Sequence, residues 1–140
     1  MIPPTARAAA LEISPWMGKR PMTQAAAAQP AKAVQDSNFR FDTTTDLYNV
    51  CSVTQTAAEY PLANQACRAF IEAAVQYHDE ISNRKNLKRL ICYPATATID
   101  DGKTAFVAWA QTHSGDSKLM GEQPVVGLVR SLAAKYPCKR

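Results

Sequence analysis

Through residues 43–138 the apolar positions repeat with the period of a helix, not of a strand. The longest run is Leu62, Ala66, Phe70, Ala74, Tyr77 and Ile81, which advance by four or three and trace one stripe of an amphipathic helix. Cys67 and Ile71 widen that stripe, while Asn64, Arg68, Glu72 and Asp79 lie largely off it. Pro61 suits its first turn and Ser82-Asn83 its end. Before it, Leu47, Val50 and Cys51 predict a short helix, with Thr43 to Asp46 offering several N-caps. Thr98 and Asp101 have the spacing of a capping box and open a third helix, with Ile99, Phe106, Trp109 and Ala110 on its apolar face. A fourth starts at Pro124, carries Val125, Leu128, Val129, Leu132 and Tyr136, and stops at Pro137. Gly127 on this helix is a point where another helix can approach closely. No segment sustains strand alternation, so the pattern predicts an all-α fold: a small antiparallel bundle of about four helices.

Residues 1–42 break the pattern. Pro3, Pro4, Pro15, Pro21 and Pro30 interrupt any helix, and Ala25 to Ala31 approach low complexity. The large apolar groups there show no period, and such a segment buries too little surface to offset its ordering entropy. The expected organisation is an extended Pro/Ala-rich or disordered N-terminal arm over 1–42 and a helical domain over 43–140. Trp16, Met17 and Phe39 are the arm's candidate anchors for a partner. The arm contains no continuous apolar stretch of the length a secretory signal requires.

Cys51, Cys67, Cys92 and Cys138 are the four cysteines. None forms a C-x-x-C pair, and the 2 histidines, His78 and His113, do not form a ligand pair, so no metal site is expected. Two disulfides are favoured over four buried free thiols, and an oxidising compartment goes with them. Four cysteines allow three pairings. An up-down bundle places Cys51 and Cys67 at one end and Cys92 and Cys138 at the other, which favours Cys51–Cys67 and Cys92–Cys138.

The formal net charge is +4, and its one dense cluster is Arg84-Lys85-Asn86-Leu87-Lys88-Arg89. No aromatic platform accompanies it, so it reads as solvated cations after a helix C-terminus and not as a nucleic-acid site. No apolar run is long enough to span a membrane. His113, Ser114 and Asp116 share one Gly-containing turn, whereas a triad converges from separate elements. Asp100 and Asp101 lack the further oxygen ligands that calcium requires. There is no Gly-rich phosphate loop, and no catalytic residue or cofactor is expected.

One resemblance adds to this. Leu47-Tyr48-x-x-Cys51, Cys67-Arg68-Ala69-Phe70-Ile71, Ile91-Cys92-Tyr93-Pro94 and the terminal Leu132-Ala133-Ala134-Lys135-Tyr136-Pro137-Cys138 resemble the Rap/Tai family over about Thr43 to Cys138. The resemblance implies a small, helical, disulfide-bonded periplasmic protein, of the kind that includes immunity proteins against type VI secretion amidase toxins. A non-enzymatic inhibitor would present a loop to the amidase cleft. The candidate contacts are the turn His113–Gly121 (His113, Ser114, Asp116, Lys118 and Met120) and the flank of the last helix. The alternative is a structural or accessory subunit of a host assembly, docked through its arm. Self-association as a homodimer stays open under both.

Overall fold

A computed structural model describes residues 34–139, and among them every regular element is a helix. A 3-10 helix, Asp36–Arg40, precedes α1 (Thr44–Cys51), α2 (Tyr60–Arg84), α3 (Ile99–Thr112), α4 (Ser117–Met120) and α5 (Pro124–Lys135). The short α1 is the hub, packing against the 3-10 helix, α2, α3 and α5. Leu47, Val50, Cys51, Ala63, Ile71, Phe106, Leu128 and Leu132 join in one core.

Local chemistry sets the boundaries. The Thr43 hydroxyl accepts from the Asp46 N–H while the Asp46 carboxylate accepts from the Thr43 N–H, so Thr43 is the cap among the available threonines. Thr98 and Asp101 make the same reciprocal pair at α3, as their spacing predicts. The long helix α2 runs one residue past Asn83, to Arg84. There Asn86 turns left-handed at φ 57°, and Leu87 N–H reaches back to the Ser82 carbonyl.

Both disulfides form as the bundle geometry favours: Cys51–Cys67 and Cys92–Cys138. Their settings differ. Cys51 and Cys67 are 2% and 0% exposed, inside the core, whereas Cys92 is exposed and Cys138 half-buried. Beside the second bridge, Cys92 N–H donates to the Tyr136 carbonyl at 2.9 Å.

The Cys51–Cys67 bridge also corrects the orientation of α2. It pins Cys67 inward, and the buried line becomes Ala63, Cys67, Ile71 and Ser82. Leu62 and Tyr77, expected on the core stripe, are 66% and 69% exposed. Phe70 is half-buried and packs against Phe41 with the rings tilted by 58° and their centroids 5.1 Å apart. On α5 the buried residues are Pro124, Gly127, Leu128, Ser131 and Leu132, while Val125 faces solvent.

Residues 34–42, assigned above to the arm, carry Val34, Phe39 and Phe41, all packed on the core. Buried Asn38 donates from Nδ2 to Asp46 at 2.9 Å, joining the 3-10 helix to the cap of α1. Trp16 and Met17 lie outside the described residues.

Candidate functional site

Among the described residues no cluster of three or more His, Cys, Asp or Glu side chains could hold a metal ion. The polar groups described below do structural work, and the turn between α3 and α5 and the outer flank of α5 are the candidate surfaces.

The first is the turn between α3 and α5. His113 ends α3: its ring stacks on Trp109 at 4.4 Å, and Nδ1 donates to the Trp109 carbonyl at 2.8 Å. The Ser114 hydroxyl donates to the Gln111 carbonyl. Asp116 caps α4, accepting from the Lys118 and Leu119 N–H groups at 3.1 Å. The three side chains are thus occupied separately by backbone groups and do not converge. Met120 is 4% exposed and belongs to the core, so it is removed from the set of contact residues. Its carbonyl accepts from the Thr45 hydroxyl, and the Glu122 carbonyl accepts from both the N–H and the hydroxyl of buried Thr44. The turn is therefore tied to the start of α1 at its base, and Ser114, Gly115, Asp116, Ser117 and Lys118 stand exposed at its tip.

The second surface is the outer flank of α5. Val125, Val126, Val129, Arg130 and Ala133 line a depression of about 480 Å³ together with Leu90 from the linker after α2. Leu90 is held there by His78, near the end of α2. The His78 side chain is 9% exposed. Its Nε2 accepts from the Leu90 and Ile91 N–H groups at 3.1 and 3.3 Å, which leaves Nδ1 to donate to Asp79 at 3.0 Å. Asp79 also accepts from Arg89 and from the Tyr93 hydroxyl. Burial opposes the charge on Asp79, but the bonds from Tyr93, His78 and Arg89 outweigh it and hold the carboxyl below its ordinary range. The phenol of Tyr93 moves the other way, raised by burial and by its bond to Asp79. This network fastens the whole linker, from Arg89 to Tyr93, onto the end of α2. The adjacent His-Asp pair at 78–79 was visible in the sequence. The linker amides it captures are 12 and 13 residues downstream, and local spacing gave no sign of them.

Residues 43–138 match the model of the Rap1a immunity proteins. The chain belongs to that family. The match starts at the Thr43 cap and ends at Cys138, so it takes in both bridges, the turn and the α5 flank. No curated protein and no solved structure matches the chain. Membership of the Rap1a immunity family points to a protein-binding immunity protein of the type VI secretion system, with a toxin as its partner. The two disulfides accord with an oxidising compartment. No described helix is long and apolar enough to cross a membrane.

Proposed function

We propose that this Rap1a family protein inhibits a type VI secretion amidase toxin without catalysis, by inserting the turn between α3 and α5 into the cleft that cleaves peptidoglycan. The observation that carries the reading is the pre-organisation of that turn. Its exposed tip, Ser114 to Lys118, follows His113 at the end of α3, is held internally by the Asp116 cap of α4, and is anchored below by Met120 and by Thr44. A loop fixed before binding loses little entropy on association, and a polar tip on a rigid base suits a wet, polar cleft. The periplasm, where peptidoglycan is exposed to such a toxin, is the compartment this function requires. A homodimer that presents two turns is compatible with it.

The test is inhibition of purified type VI secretion amidases by the full chain, followed by the double variant Ser114→Arg, Lys118→Glu at the exposed tip. Neutralisation of a cognate amidase, with about tenfold or greater loss of affinity in the variant and an unchanged melting curve, is the expected result. Failure to bind or inhibit any candidate amidase overturns the reading. Inhibition that the tip variant leaves intact removes the turn from it.

A further inference from the structure

The flank of α5 has the properties of a second, chemically distinct docking surface. Its floor is apolar and stays uncovered: Leu90 is 58% exposed, Val125 40% and Val126 36%. Leu90 is no loose surface leucine. Its own N–H and that of the next residue are held by His78, and Ile91 beside it is 1% exposed in the core. With its neighbour pinned inward, Leu90 is left pointing out along the valines of α5. Valines on a helix have essentially one side-chain rotamer, so this floor is formed before any partner arrives.

Among the described residues, Arg130 is the one charged residue lining the depression, and the basic linker residues 84–89 lead into Leu90. Arg84 is paired with Glu80, Arg89 with Asp79, and Arg130 with Glu122. Lys85 and Lys88, on the linker that leads into Leu90, are exposed and have no acidic partner among the described residues. The carboxylates of those pairs are thus already used, and two cations remain on the chain segment that leads into the depression. We infer that the groove formed by Leu90 and the outer flank of α5 binds a protein segment that presents an apolar helical ridge bordered by Asp or Glu. A row of apolar side chains matches the shallow apolar depression along α5. Carboxylates beside the ridge meet Lys85 and Lys88. The inference goes beyond the amidase reading and holds whether or not the partner's active site is occluded by the turn.

Two labelled amphipathic peptides of about 18 residues provide the probe. Both carry leucines at i, i+3, i+4 and i+7, and their other positions are glutamate in one and lysine in the other. Fluorescence anisotropy with the full chain is expected to show the glutamate peptide binding at least about tenfold more tightly than the lysine peptide. Val126→Asp, and separately Leu90→Ser, should each weaken the glutamate peptide about tenfold without changing the melting curve, because both side chains are exposed. Lys85→Glu with Lys88→Glu should remove the preference between the two peptides. Absence of binding, equal binding of both peptides, or indifference to the variants overturns the proposal. Binding to phosphatidylglycerol vesicles that these same variants abolish, without peptide discrimination, would assign the surface to a membrane instead. A change in sedimentation mass with Val126→Asp would assign it to a second copy of the chain.

Discussion

Gly127 is a glycine because Thr44 occupies the space that a side chain would need. A Cβ built on Gly127 would lie 2.4 Å from Thr44 Cγ2 and 2.6 Å from its Oγ1. Thr44 cannot move away cheaply. It is 0% exposed, and its hydroxyl donates to the Glu122 and Gln123 carbonyls at 2.9 and 3.2 Å. This contact sets the approach of α1 to α5 and, through the Glu122 carbonyl, anchors the turn. Alanine gains about 1 kcal/mol over glycine in a helix interior, whereas overpacking a rigid contact costs about 1–3 kcal/mol. Gly127→Ala should therefore be net destabilising, by up to about 2 kcal/mol in urea unfolding.

Gly102 supplies the control. Its added Cβ would meet Ile71 and Leu132 methyl groups at 3.5 and 3.7 Å, ordinary van der Waals contact. With no clash to oppose helix propensity, Gly102→Ala should be neutral or stabilising by up to about 1 kcal/mol. Opposite signs for the two glycine replacements are the expected result. Equal destabilisation would show that α3 is packed more tightly than its contacts indicate.

Helix α2 offers a second paired test. Ile71→Ala empties part of the core beside Phe106 and Leu132 and should cost about 2–5 kcal/mol, while Leu62→Ala removes an exposed side chain and should stay within about 0.5 kcal/mol. Equilibrium unfolding of the two variants distinguishes the observed face of α2 from the stripe that periodicity alone predicts.

That pair also marks what the sequence could and could not convey. Helix identity, an N-cap within Thr43–Asp46, the capping box at Thr98 and the stop at Pro137 follow from local rules, the disulfide pairing follows from the bundle those helices build, and the structure contains them. The rotation of α2 did not follow. Ala63, Ala66, Cys67, Phe70 and Ile71 cover a broad sector of the helix, so periodicity gives an apolar side without its centre, and the Cys51–Cys67 bridge decides it. The turn at 113–121 was legible as a turn, but Met120 was not legible as a core residue because a four-residue helix has no period to read. The groove on α5 needs Leu90 beside Val126, 36 positions later, and only tertiary structure brings them together.

Removing the imidazole should release the linker. His78→Phe keeps the ring's bulk but leaves the Leu90 and Ile91 N–H groups without an acceptor, each worth about 1–3 kcal/mol if it stays buried. The expected result is faster amide hydrogen exchange at Leu90 and Ile91, with the Cys51–Cys67 end of the core unaffected. Unchanged exchange at both amides would mean that the disulfide at Cys92 holds the linker unaided.

Acid should weaken the fold from a defined side. Burial opposes the charges of Asp46 and Asp79. Hydrogen bonds outweigh it in both cases: from Asn38, Thr43 and Asp42 at Asp46, and from Tyr93, His78 and Arg89 at Asp79. Both folded values therefore lie below the ordinary 3.8. Between the folded and unfolded values the unfolded chain binds more protons, so stability rises with pH across that window. The contribution is complete above the ordinary carboxylate value and is lost as pH falls through the folded one. Urea midpoints measured from about pH 5 to about pH 2 should decline, and Asp46→Asn should decline less steeply from a lower start.

The two disulfides should part under a reductant. Cys51 and Cys67 are sealed in the core, so a thiolate reaches them only after the fold opens, whereas exposed Cys92 offers a sulfur to direct attack. Mild treatment with a dithiol should therefore open Cys92–Cys138 first, as read by alkylation and peptide mapping. What is lost on that cut follows from loop length. The bridge closes 46 residues against 16, and the logarithmic dependence of closure entropy makes it worth about 1 kcal/mol more. Its opening also leaves the end of α5 held by Leu128, Leu132 and the Cys92 N–H bond to the Tyr136 carbonyl. Limited proteolysis of the singly reduced protein should then cut near Lys135 before any site in α2. Cys138→Ser reproduces that state cleanly because Cys138 is only half-buried, while Cys51→Ser adds a buried hydroxyl and confounds the comparison. Reduction of Cys51–Cys67 first, or proteolysis starting in α2, would place the weak end of the bundle opposite to where the exposure of the two bridges puts it.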